Sequence, residues 1–123
     1  MYQIKIKRIY ASPEPSDGRR YLVDRLWPRG IKKEKAALDG WFKTIAPSAE
    51  LRKSFAHQQE RFAGFREAYQ QELDASPEAA EFARLCKKEV LSGNVSLLYA
   101  AKDESCNNAA VLREWIERQQ QGI

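Results

Sequence analysis

The chain has a single histidine, two cysteines and one methionine among 123 residues. Each scarcity excludes something. Cys86 and Cys106 form no CxxC pair and have no histidine cluster beside them. That argues against a structural zinc site and against a disulfide framework, and no metal is expected. A reducing cytosol is the expected setting. There is no GxGxxG, no P-loop and no GxSxG. Common nucleotide-binding folds and hydrolases thus lose their usual signature, and no cofactor is implied. No apolar run approaches the ~18 residues that a membrane span requires. The opening Met1-Tyr2-Gln3-Ile4-Lys5-Ile6-Lys7 alternates apolar with charged residues and lacks the apolar core of a signal peptide.

What is present is ordinary for one globular domain. The length is close to the commonest size for a single domain, so residues 1–123 are read as one unit. The hydrophobic fraction of 43% and charged fraction of 31% exclude wholesale disorder. The net charge of +4 is unevenly spread: residues 1–53 carry 13 Lys/Arg against 6 Asp/Glu, and residues 54–123 carry 8 against 11. A basic first half can attract phosphates, nucleic acid or acidic small molecules, although surface lysines also vary this much by chance.

Periodicity places the elements. Tyr2 to Tyr10 alternates as a half-buried strand. Residues 12–18 are dense in breakers and read as a loop. Arg20 to Asp24 is a short apolar strand, stopped by Pro28 and Gly30. Lys32 to Asp39 reads as loop with one helical turn, and Trp41 to Ile45 as a short strand. Ser48 is a plausible N-cap for a helix whose apolar face is Leu51, Phe55, Phe62, Phe65, Tyr69 and Leu73, with a break near His57. Ser76-Pro77-Glu78 opens another helix, which ends near Gly93. Val95 to Ala101 is the most apolar stretch and reads as a buried central strand. A last helix starts near Asn107 or Asn108, and a polar tail follows Gln119. The order implies an α/β fold: a single compact domain with a small parallel or mixed sheet flanked by helices.

In open α/β sheets, ligands bind beyond the carboxyl ends of the strands. Two such ends stand out. The first loop holds Arg25, Trp27, Arg29 and Lys32 around a Pro-Arg-Gly turn. Arginine offers a planar fork for carboxylate or phosphate, and tryptophan a face for a ring. The structural alternatives are that Arg25 pairs with Asp24, Asp39 or Asp103 and that Trp27 plugs the core. The second loop holds Lys102, Asp103, Asn107 and Asn108. Lys102 can hold an anion and Asp103 can accept a proton, while Asn107 or Asn108 also serve as ordinary caps. Tyr99 reads as a core tyrosine whose hydroxyl is within possible reach of the same cleft. His57 is the first candidate proton carrier near neutral pH, or else simply an exposed residue. Cys106 precedes a helix, where thiolate formation is favoured.

The same segments carry a family resemblance. Tyr21-Leu22-Val23-Asp24-Arg25-Leu26-Trp27-Pro28-Arg29-Gly30, with Lys33-Glu34-Lys35-Ala36, resembles the YeaO-like branch of the domain-of-unknown-function 488 family. Trp41 to Lys43, Ile45 to Lys53, Phe55-Ala56-His57, Leu97 to Asp103 and Asn107-Asn108-Ala109 agree in order. The resemblance implies a compact bacterial or archaeal protein and no established activity. It marks Arg25, Trp27, Arg29, Lys35, His57, Lys102, Asp103, Asn107 and Asn108 as motif positions. It also implies a histidine at position 106, where this chain has cysteine, which weakens any role for that position as base or ligand.

Two functions are expected from these residues. In the first, Arg25, Arg29 and Lys102, with Trp27, Asn107 and Asn108, bind a small anionic ligand in a basic cleft. Asp103 or His57 would then carry a proton if the protein is an enzyme. The alternative is a nucleic-acid or protein binding module using Lys5, Lys7, Arg19, Arg20, Lys32, Lys33 and Lys35, with binding that weakens steeply in salt.

Overall fold

The strands assemble in an order that their sequence order does not announce. The computed structural model describes residues 2–119, so the tail expected beyond Gln119 lies outside the described residues. β1 (Ile4–Arg8), β2 (Arg19–Leu22), β3 (Gly40–Trp41) and β4 (Val95–Tyr99) form one sheet in the order β1-β4-β2-β3. Every neighbouring pair is parallel. Of the two sheet types expected, the all-parallel one is therefore realised. Ile6 pairs with Leu97, and Tyr21 pairs with the same residue from the other side. All five β4 residues are buried, as a central strand covered on both faces requires.

Helices cover one face. These are α2 (Ala49–Phe55), α3 (Phe62–Asp74), α4 (Pro77–Glu89) and α5 (Asn108–Arg118). Phe65, Tyr69 and Leu73 of α3 recur every four residues and are buried together against Val95, Leu97 and Tyr99. The starts of α2, α4 and α5 are capped as their sequence dictates, whereas α3 follows Arg61 without a side-chain cap. Ser48 Oγ accepts from Leu51 N, Ser76 Oγ from Ala79 N, and Asn107 Oδ1 from Ala110 N. Ser48 also donates from its backbone N and Oγ to the Glu72 carboxylate, tying the start of α2 to α3. The expected break near His57 is present: Ala56 and His57 both take the left-handed conformation, at φ 49° and 56°.

Among the described residues, no long helix covers the other face. The loop after β2, with its single turn α1 (Lys33–Ala36), folds over it. Ala36, Trp27, Ile31 and Leu38 pack on Ile9, Leu22 and Leu98 in a second, smaller cluster. Beneath this loop lies a buried ionic group. Arg20, 5% exposed, donates to the Asp17 carboxylate and to the carbonyls of Ala36 and Ala37, while Lys7 Nζ donates to Asp17 at 2.9 Å. Gly18 permits this corner. Its φ is +65°, and a Cβ there would sit 1.9 Å from Asn94 O.

One element differs from expectation. The strand read over Trp41 to Ile45 stops at Trp41, and Lys43–Ile45 is a tight turn. Phe42 turns inward, edge-on to Tyr21 at 5.1 Å and against Phe82 at 4.5 Å. Tyr69 Oη then donates to Ile45 O at 2.7 Å. Burial of these aromatic contacts overrides the local alternation. No described helix is long and apolar enough to cross a membrane.

Candidate functional site

Because β2 and β4 are parallel neighbours, the segments leaving their carboxyl ends emerge side by side. A cleft of about 860 Å³ opens between them and α2. Arg25, Trp27, Arg29, His57, Lys102, Asp103, Asn107 and Asn108, eight of the positions singled out from the sequence, line it, whereas Lys32 and Lys35 do not. Asp24, Leu26, Pro47, Arg52, Lys53, Phe55 and Phe65 line it as well.

Asp24 is the pivot of the site. Its carboxylate accepts from Ala100 N at 2.9 Å and from Asn108 Nδ2 at 3.0 Å. The same Asn108 amide donates to Val23 O at 3.1 Å. One side-chain pair thus joins the end of β2, the end of β4 and the start of α5. Burial pushes the Asp24 carboxyl above the usual carboxylate range, against the pull of these hydrogen bonds and of the Arg52 charge. Trp41 Nε1 donates to Asp24 O at 2.7 Å, and Trp41 meets Trp27 edge-on at 5.4 Å. Trp27 in turn donates to Ile31 O and packs on the second cluster, so its ring both fills the core and walls the cleft.

The cations divide into braced and free. Arg25 pairs with none of the aspartates offered as its partners. Its Nε and Nη2 donate instead to Pro47 O at 3.2 Å and Ala46 O at 3.1 Å, anchoring the loop to the chain entering α2. Arg29 sits before Gly30, whose φ of +80° makes the turn, and its carbonyl accepts from Tyr10 Oη. Its side chain is exposed. Among the described residues, the side chains of Arg29, Lys53 and Lys102 form no hydrogen bond or ion pair with another residue. Arg52 Nε is buried and has no hydrogen-bond partner.

The polar residues after β4 are largely committed to the backbone. Asp103 Oδ1 accepts from Ser105 N and Cys106 N, both at 2.9 Å, and these bonds hold its carboxyl below the usual range. Asn107 is 1% exposed, caps α5 and donates to Asp103 O. His57 is exposed at the rim, 5.9 Å from the Phe55 ring. Tyr99 does not reach this cleft; it lines a separate one of about 390 Å³ with Lys7, Arg8 and Tyr10. Cys106 is not among the lining residues. Among the described residues, no group of His, Cys, Asp or Glu is arranged to hold a metal ion.

Arg52 and Lys53 are the site residues that sequence reasoning missed. They stand in the last turn of α2, where cations ordinarily offset the helix dipole and draw no notice. Their one signal is position, immediately before the break at His57.

The profile of the DUF488-N3i family, described as the inactive DUF488-N3 subclade, matches residues 3–122. Escherichia coli (strain K12) has a relative named Uncharacterized protein YeaO, 49% identical over 114 residues that cover 92% of this chain and 96% of that one. Uncharacterized protein Rv3073c of Mycobacterium tuberculosis (strain H37Rv) is 38% identical over 112 residues, covering 91% and 92%. No solved structure matches significantly. With matches that run almost end to end, the chain belongs to the DUF488-N3i family and is a YeaO-like DUF488 protein.

Proposed function

We propose that the cleft binds a small ligand through its phosphate or carboxylate group. One observation carries this reading. Arg29, Lys53 and Lys102 line the cleft with no hydrogen bond or ion pair to another described residue, Arg25 and Arg52 add their charge, and the cleft's two carboxylates, Asp24 and Asp103, already accept hydrogen bonds. An anion supplies the acceptor that these unpaired cations lack, and its charge is shared among them. The exposed Arg29 and Lys102 raise the local concentration of anions at the mouth.

The reading is of binding without turnover. Asp103 is spent on two backbone N–H groups that keep it ionised, so it is a poor proton carrier. His57 is left as a rim residue able to donate to the ligand. The family description as an inactive subclade accords with this. The nucleic-acid alternative loses two of its contacts. Arg20 is buried and Lys7 is held by Asp17 and Glu14, so neither is free for a phosphate backbone.

Titrating isotope-labelled protein with inorganic phosphate at low ionic strength tests the proposal. The backbone amides of residues 24–27, 29, 52–57 and 100–103 are expected to shift together, and Arg29→Gln combined with Arg52→Gln to abolish the shifts. Shifts scattered over the basic first half, or none at these positions, would sink it.

A further inference from the structure

The cations occupy only part of the cleft wall. Leu26 stands at the mouth with 63% of its surface exposed. Phe55 and Phe65 are stacked at 4.4 Å with 23° between their planes, and both, though 6% and 4% exposed, line the cleft together with Pro47. The volume of about 860 Å³ is far more than an inorganic anion fills. It lies within the roughly 300–1,000 Å³ of clefts that take whole organic molecules. Such clefts are mainly apolar, with a few convergent polar groups that fix orientation.

From this pairing we infer that the ligand is an amphiphilic aromatic anion: a planar apolar ring system lying on Leu26, Pro47 and the Phe55–Phe65 wall, with one anionic head on Arg52, Arg29 and Lys102. The inference rests on the anion-binding reading and narrows it. Aromatic side chains prefer offset or edge contacts with another ring, which favours a ring over a flexible alkyl chain. The exposed apolar surface of Leu26 is covered when such a ring docks, so the ring adds affinity that a bare anion lacks. The head supplies the acceptor that Arg29 and Lys102 lack.

The test uses calorimetric or NMR titration of the whole chain with three probes: 2-naphthoate, inorganic phosphate and the neutral 2-naphthalenemethanol. The naphthoate is expected to bind about tenfold or more tightly than either of the others, a factor of ten being 1.4 kcal/mol. Leu26→Ser changes an exposed residue and is expected to leave the fold intact. It is expected to weaken naphthoate several-fold and leave phosphate unchanged. Arg52→Gln is expected to weaken both anions and leave the alcohol unchanged. If phosphate binds as tightly as naphthoate, or Leu26→Ser has no effect on naphthoate, the aromatic assignment fails and the anion site stands. If the alcohol binds as tightly as naphthoate, the anion site fails and this inference falls with it.

Discussion

At the scale of single residues, the most consequential side chain is one that ordinary pattern reading passes over. Asp17 sits in a breaker-rich loop and looks like a turn residue, yet it is 1% exposed and holds Lys7 and Arg20 beneath the second face. Burial alone would raise its pKa, but hydrogen bonds from Lys7, the Glu14 backbone and Arg20 outweigh burial and hold the carboxyl below the ordinary 3.8. Asp17→Asn leaves Arg20 as a buried cation without its counter-charge. It is expected to cost about 3 kcal/mol at neutral pH, read by urea denaturation. The sign of the pH dependence follows from the lowered pKa. The stabilisation is complete above 3.8 and is lost as pH falls through the folded value. The gap between wild type and variant is therefore expected to be full at neutral pH and to close in acid. A gap of constant size across that range would rule out this role. Arg25, Asn107 and Asn108 were legible as important from their types and spacing. Which partners they take was not, because carbonyls such as Ala46 O become available only when distant segments meet.

At the scale of elements, local signals did most of the work. The N-caps Ser48, Ser76 and Asn107 each lie where a short polar side chain precedes an apolar-periodic run, and each accepts the expected N–H. β3 was misread because alternation over five residues is weaker than the burial of Phe42 among Tyr21 and Phe82. The end of α2 carries a cost that sequence does reveal once the conformation is known. Ala56 closes the helix at φ 49°, ψ 33°, with its N–H on Arg52 O, a position where glycine has no Cβ penalty. Ala56→Gly is therefore expected to raise stability by up to about 1 kcal/mol, seen as a higher midpoint in thermal melting. An equal or lower midpoint would mean that the left-handed turn is not strained. Glycine there also lets the segment bearing His57 relax, so the same variant reports whether the rim needs a rigid turn.

At the scale of the whole molecule, β4 decides both stability and site. It pairs with β1 and β2 and is buried on both faces, with Leu97 in the helical core and Leu98 in the cluster under the loop. Leu97→Ala removes a fully buried side chain from the middle of the sheet. It is expected to cost about 2–5 kcal/mol in urea denaturation. That is a large part of the roughly 5–15 kcal/mol a domain of this kind possesses. A cost below about 1 kcal/mol would mean that this position collapses without a cavity and is not central. The sequence by itself determined the class of fold, most element positions, the caps and the two loops that carry charge, because hydrogen-bonding propensity and apolar periodicity act over a few residues. The tertiary structure alone decided that β4 inserts between β1 and β2. It also decided that residues 24–29, 100–103, 107 and 108 therefore share one cleft, and that Arg52 and Lys53 complete it from α2. Strand order and helix docking are set by which apolar faces bury each other across long stretches of chain, and no local pattern records that choice.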